Sequence, residues 1–270
     1  MLKAYAKVNL SLKIVNILPN NYHLLEAINV KIALADLIEI TKAECTEVTY
    51  QYFRIDKDQD TLLKVLNAFI NRYNLPPQKV HIIKKIPVAS GLGGLSSDIA
   101  CIIKYLNKKY HLKLTNKELT KFVLPFGTDI CYCLYDKPAL VKGIGESVQL
   151  INIKLPKKLI VIDPKIKVST KDIYGQVSEV HKESYSKVLL ETLGKDDLIS
   201  IYMNDLEKIT FNNYPDLKEL YIELVSLKVG KVQMSGSGSS LIIFSESKEV
   251  LKTLQTKYPM YNIDMYKILK

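Results

Sequence analysis

The run Pro87-Val88-Ala89-Ser90-Gly91-Leu92-Gly93-Gly94-Leu95-Ser96-Ser97-Asp98 constrains the fold of this chain more than any other segment. A β-branched stretch, Val80-His81-Ile82-Ile83, enters it. Apolar residues at helical spacing, Ile99, Ile102, Ile103 and Leu106, leave it. A strand therefore turns through small residues into a helix. Glycine permits a tight turn and close approach of a ligand to the backbone, and Ser96, Ser97 and Asp98 are residue types that start helices. The unpaired N–H groups and positive dipole end of that helix suit a phosphate. From the loop alone, a ligand-free strand-to-helix turn stays open. A Walker loop is excluded because no Gly-Lys-Ser/Thr follows the glycines. A dinucleotide fingerprint is disfavoured because Ser96 replaces its third glycine.

Around the loop, strands and helices mix irregularly, which argues for an α+β chain rather than a doubly wound sheet. Alternation over residues 4–14 predicts a strand with one wet face, carrying Lys7, Asn9 and Ser11. A turn at Leu18-Pro19-Asn20-Asn21 follows. Residues 25–40 read as one or two strands and 46–54 as another. A helix is expected over 61–73, a strand over 79–86 and a helix over 97–109. Thr115-Asn116-Lys117-Glu118 is a capping box for a short helix ending near Pro125. Residues 138–150 read as a hairpin that closes a first domain, 1–152, and Leu159-Ile160-Val161-Ile162 opens a second, 153–270. There the pattern predicts helices at 184–193, 196–203, 215–227 and 247–257, and strands at 231–234, 240–245 and 261–268.

The chain carries a formal net charge of +10, which raises the question of a nucleic-acid partner. All but two of the 38 basic residues are lysines, they are dispersed, and nucleic-acid readers lean on arginine as well. The expected partner is a small anionic molecule, with no nucleic acid and no membrane. No apolar run reaches the length of a membrane span, and the N-terminus lacks a signal-peptide core, so the expected location is cytoplasmic. Cys45, Cys101, Cys131 and Cys133 have no metal spacing and read as buried thiols. In a strand, Cys131 and Cys133 would share one face.

Three charged residues stand out. Asp129 enters the apolar run Ile130 to Leu134, and an aspartate there needs a partner if buried; a helix cap or turn residue is the alternative. Lys7 sits mid-strand, on the same face as Asn9, and could also be an outward-facing lysine. Lys84 ends a strand just before the glycine loop, where a surface lysine is the plain reading. Ser235-Gly236-Ser237-Gly238-Ser239 forms a second small-residue loop after a strand, an anion nest or a plain hairpin turn.

Several motifs occur in one order along the chain: Ala6-Lys7-Val8-Asn9-Leu10-Ser11-Leu12, Tyr22-His23, Asp36, the glycine loop, and Gly127-Thr128-Asp129-Ile130. Gly143-Ile144-Gly145-Glu146, Asn204-Asp205-Leu206-Glu207 and Met234-Ser235-Gly236-Ser237-Gly238-Ser239 complete the series. In order and spacing this resembles the GHMP small-molecule kinases, and within them the branch acting on 4-diphosphocytidyl-2-C-methyl-D-erythritol. The resemblance implies a two-domain fold: a mixed α/β sandwich followed by a ferredoxin-like domain. It implies ATP-dependent phosphorylation of the substrate's 2-hydroxyl, giving the 2-phosphate and ADP on the non-mevalonate route to isoprenoid precursors. Mg²⁺ is expected with ATP, with no ligating residue assigned, and the chain is expected as a monomer or homodimer.

By the same resemblance Asp129 is the catalytic aspartate and Lys7 its partner, steadying the carboxylate and the charge on the attacking oxygen. Lys84, Pro87, Gly91, Leu92, Gly93, Gly94, Ser96 and Ser97 would hold ATP. Asn9, Tyr22, His23, Thr170 and Tyr174 would recognise the cytidine substrate, by ring stacking and hydrogen bonds to the base. The Asn204 motif matches the family without an assigned chemistry. Three departures stand out. Asn20-Asn21 replaces Asp-Gly before Tyr-His, Leu95 replaces a loop glycine, and Thr61 stands where an asparagine is expected near the adenine. Rival readings are a kinase of homoserine, mevalonate or a phosphomevalonate, and an RNA-binding module.

Overall fold

The structure, a computed structural model, describes residues 1–178, 180 and 203–270. The expected helices at 184–193 and 196–203 lie outside the described residues, except for Met203. Two compact units emerge, and the long strands β1 (Leu2–Ile17) and β2 (His23–Lys42) contribute to both.

The first unit contains Met1–Lys7, Leu34–Ile86 and Gly93–Asp136. The end of β2 pairs antiparallel with β4 (Gln78–Ile83), Leu37 opposite Ile83, while β3 (Glu47–Tyr50) runs parallel to β4. Helix α1 (Thr61–Arg72) buries Leu62, Leu63, Val65, Leu66, Phe69 and Ile70, the stripe its sequence spacing demands. Asp60 caps it, accepting from the N–H groups of Leu62 and Leu63. The unit continues with α2 (Gly94–Lys109), α3 (Asn116–Val123), a 3-10 turn and α4 (Thr128–Cys133). The Thr115/Glu118 capping box forms with both reciprocal bonds. Helix α2 begins at Gly94 rather than Ser97, because Gly93 takes the left-handed conformation that lets the chain enter the helix directly. The segment around Asp129 is helical, so Cys131 and Cys133 do not share a strand face; both are buried. Cys45 is exposed and Cys101 half-buried, which corrects the expectation of four buried thiols.

The second unit contains Val8–Ala33, Pro87–Leu92 and Lys137–Lys270. Its part of β2 pairs with β5 (Ala139–Gly143), which forms the expected hairpin with β6 (Ser147–Leu150). The chain then passes through β7 (Lys158–Asp163), α5 (Thr170–Tyr174), α6 (Glu207–Asn213) and α7 (Pro215–Ser226). It ends with β8 (Lys231–Met234), β9 (Leu241–Phe244), α8 (Lys248–Lys257) and β10 (Asn262–Lys267). These last four strands form an antiparallel sheet in the order β10-β7-β9-β8. That is the ferredoxin-like arrangement. Ile160, Ile162, Leu241 and Ile243 of the sheet pack with Leu217, Leu220, Leu224 and Leu254 of α7 and α8. Each such burial contributes about 1.5–3 kcal/mol. Among the described residues no helix is long and apolar enough to cross a membrane.

Candidate active site

Strand β1 does alternate, but its polar side is not wet: Lys7, Asn9 and Ser11 are 4%, 3% and 0% exposed. Alternation distinguishes two faces without saying what covers either one. A lysine, an amide and a hydroxyl buried in line need protein partners, and the structure supplies them for Lys7 and Asn9.

Within the first unit the Lys7 ammonium lies 3.2 Å from the Asp129 carboxylate, which is half-exposed. Asp129 sits in the first turn of α4, where the helix dipole favours a negative charge. The Lys7 stem passes across Gly93. A Cβ on that glycine would lie 2.6 Å from Lys7 Cγ, and its φ of +65° disfavours any other residue. Gly93 thus serves the entry to α2 and the path of Lys7 together. The first helical bond of α2 runs from Ser97 N–H to Gly93 O, so the N–H groups of Gly94, Leu95 and Ser96 precede the helix ladder. Leu95 is exposed at this turn. Ser97 turns inward, its hydroxyl 3.4 Å from Cys133 Sγ. Lys84 is neither solvated nor open: its ammonium bonds Asp36 and, at 2.8 Å, Asp98.

Within the second unit Asn9 donates its amide to Asn29 Oδ1 at 2.7 Å. Asn29 went unnoticed in the sequence, although an amide inside the apolar run Ala27-Ile28-Asn29-Val30 was a readable signal. The first half of the glycine loop is laced to the Ser235 loop. Ser235 Oγ donates to Gly91 O at 3.1 Å, and Ser240 N–H donates to Ser90 O at 3.0 Å. Gly91 has φ +76°, and a Cβ there would sit 2.0 Å from Ser235 O. Ser90 Oγ closes back onto Pro87 O, and Leu92 is a core side chain that offers only backbone to a ligand.

The Asn204 motif acquires a structural role. Asn204 Nδ2 donates to Met234 O at 2.9 Å and Gly236 O at 2.7 Å. Thr210 donates to Ser237 O, and Glu207 accepts from Met234 N–H. With Gly238 N–H on Ser235 O, every carbonyl from Met234 to Ser237 is engaged, so the second loop has a defined shape. Burial pushes the Glu207 carboxyl up to about 7, against the pull of the Met234 N–H and Lys231.

Thr170 meets Ser237, hydroxyl to hydroxyl, at 2.8 Å. The His23 and Tyr174 rings touch, centroids 5.3 Å apart and tilted by 58°, so they form a corner rather than parallel walls. Burial lowers the His23 pKa, which favours the neutral ring. Tyr22 is exposed. The turn before it survives the Asn20-Asn21 departure: Asn21 takes φ +62°, and Asn20 Oδ1 accepts the Tyr22 N–H at 3.2 Å.

The family model for the GHMP kinases N terminal domain matches residues 60–137, and the GHMP kinases C terminal model matches residues 188–259. A "4-diphosphocytidyl-2-C-methyl-D-erythritol kinase" of Caldanaerobacter subterraneus subsp. tengcongensis is 32% identical, covering 97% of this chain and 95% of the relative. This chain belongs to the 4-diphosphocytidyl-2-C-methyl-D-erythritol kinase family of GHMP kinases. Another family member, from Clostridium botulinum (strain Langeland), is 33% identical over 93% of the chain and 91% of its own length. A crystal structure of a 4-(cytidine 5'-diphospho)-2C-methyl-D-erythritol kinase superposes with a TM-score of 0.81 at 23% identity, covering 99% of this chain and 98% of that one. The GHMP N-terminal model spans Lys84, the glycine loop and Asp129, and the C-terminal model spans the Asn204 motif and the Ser235 loop. Lys7, Asn9, Tyr22, His23, Thr170 and Tyr174 fall outside both models.

Proposed function

We propose that this chain transfers the γ-phosphoryl group of ATP to the 2-hydroxyl of 4-diphosphocytidyl-2-C-methyl-D-erythritol, releasing ADP. The observation that carries the reading is the Lys7–Asp129 ion pair at 3.2 Å, in a chain alike over nearly its whole length to kinases of that name. Phosphoryl transfer asks the protein mainly for positioning and charge. Asp129 accepts the proton of the attacking hydroxyl as its oxygen bonds to the γ-phosphorus and the bond to the ADP oxygen breaks. Lys7 steadies the negative charge on the attacking oxygen and orients Asp129. Gly91, Gly93 and Gly94, with the first turn of α2, receive the ATP phosphates through backbone N–H groups.

Mg²⁺ would accompany the nucleotide and would lower the charge on the transferred group. Among the described residues no cluster of three His, Cys, Asp or Glu could cage a metal. His23, whose neutral form burial favours, offers in that form one donor and one acceptor nitrogen to a cytosine edge. Asn9, Tyr22, Thr170 and Tyr174 complete recognition of the cytidine half. We read the chain as two domains, 1–152 and 153–270, a division supported by the two family models falling on either side of it, whereas the compact units of the fold cross it, residues 8–33, 87–92 and 137–152 grouping with the C-terminal half.

The test is ADP release with ATP, Mg²⁺ and the cytidine substrate, wild type beside Asp129→Asn. Loss of a general base lowers turnover by about 10²–10⁴, so a fall of at least ~100-fold is expected. Turnover of homoserine or mevalonate in place of the cytidine substrate would overturn the substrate. A variant as active as wild type would remove Asp129 from the chemistry.

A further inference from the structure

The Lys84 ammonium joins two carboxylates that belong to different elements flanking the glycine loop. Asp36, on β2, is 0% exposed; Asp98, on the first turns of α2, is 1% exposed. The other oxygen of Asp36 accepts the N–H groups of Lys85 and Ile86, where β4 runs into the loop. Lys84 Nζ also packs against the start of α2: a Cβ on Gly94 would lie 3.1 Å from it. Three chain segments therefore meet at one buried cation, and its donors point at protein carboxylates.

We infer that Lys84 is a positioning residue for ATP, acting through Asp98: it neutralises a buried carboxylate at the base of α2 so that the helix N-terminus keeps its attraction for phosphate. The first turn of α2 offers N–H groups and a positive dipole end. A carboxylate held a few residues along the same helix, away from water, opposes both, and an ammonium in contact with it cancels that opposition. Among the described residues Asp98 Oδ1 has no hydrogen-bond partner, and Lys84 is the cation that bonds the other oxygen of this carboxylate. Burial pushes the Asp98 carboxyl up to about 7, against Lys84, with Asp36 adding to the rise. Burial also works to lower the Lys84 pKa, but Asp98 and Asp36 outweigh it and hold the ammonium charged.

The inference deepens the kinase reading and rests on ATP being the ligand of this loop. It makes a charge prediction that a direct Lys84–phosphate contact does not. With all groups ionised the triad carries one net negative charge. At a pH of about 9, above the value near 7 to which the Asp98 carboxyl is pushed and the pH at which the binding below is measured, Lys84→Met makes it two, Asp98→Asn makes it zero, and the double variant restores one. Asp36 keeps its two backbone donors in every case.

The experiment is equilibrium titration of the full chain with Mg²⁺ and a non-hydrolysable ATP analogue, with thermal melts to establish folding. Lys84→Met is expected to weaken binding at least tenfold. Asp98→Asn and the double variant are expected to bind within threefold of wild type. A double variant as weak as Lys84→Met would show that Lys84 acts on the nucleotide itself and overturns the inference, as does a Lys84→Met protein that binds within threefold of wild type. If Lys84→Met does not fold, the charge-matched double variant still decides. Binding within threefold without the ammonium supports the inference, and a tenfold loss overturns it. The cytidine substrate is absent, so an error about the acceptor leaves the result intact. Failure of the wild type to bind the analogue overturns both the inference and the kinase reading.

Discussion

Replacing Gly93 by alanine opposes the path of Lys7 directly. Gly93 has φ +65°, so a side chain there costs about 1–2 kcal/mol in backbone conformation alone. The added Cβ would stand 2.6 Å from Lys7 Cγ and 3.0 Å from Cε, where unstrained carbon atoms keep roughly 3.5–4 Å apart. The lysine stem must withdraw by about 1 Å, or the loop must move by as much. Cγ lies near the backbone of β1 and cannot swing freely, so the displacement reaches Nζ, now 3.2 Å from Asp129. A misplacement of ~1 Å at reacting groups can lower a rate about 100-fold, or roughly 2.7 kcal/mol of barrier. Steady-state ADP release should show the loss chiefly in kcat. A melt of the same protein should show it folded, with a stability loss near the backbone cost. Gly94→Ala disturbs a different lysine and leaves the path of Lys7 alone. Gly94 has no positive φ, and its added Cβ would meet the far end of Lys84 at 3.1 Å and Ile86 at 3.2 Å. Should Gly93→Ala keep kcat within threefold of wild type while its Tm drops, turnover does not depend on where Lys7 is held.

Asn204→Ala strands the carbonyls of Met234 and Gly236 and the Leu206 N–H in a buried setting. The expected cost is about 3 kcal/mol or more, read by urea unfolding, and a loss below ~1 kcal/mol would refute the scaffold role. Glu207 titrates at about 7 in the folded chain against an ordinary 4.5. Between those values the folded state holds a proton that the unfolded state has released. Unfolding free energy therefore falls as pH rises through the window, by on the order of 3 kcal/mol. Glu207→Gln keeps the acceptor for Met234 N–H and removes the titration. It should match wild type near pH 4 and exceed it near pH 8, and a difference that stays flat across that range contradicts the assignment.

Features that depend on near neighbours were readable in advance. The Thr115/Glu118 capping box, the apolar stripe of α1, the β5–β6 hairpin and the turn through Asn21 arise from a few adjacent residues. Short elements were harder. Helices α5 and α6 have too few turns for a periodic pattern to stand out, and the apolar run after Asp129 does not distinguish a strand from a helix. The Lys7–Asp129 pair rested on likeness to a family, because neither residue's neighbours in the chain point to the other.

The sequence alone determined the glycine loop, the strand and the helix on either side of it, and the series of motifs that places the chain in its family. These are local chemistry repeated in order. Only the tertiary structure decided what covers the polar side of β1, that Lys84 spends its charge on Asp36 and Asp98, and that Asn204 shapes the Ser235 loop. A buried polar group takes whichever partner the packed core brings within hydrogen-bond reach, and that choice is made between residues far apart in the chain.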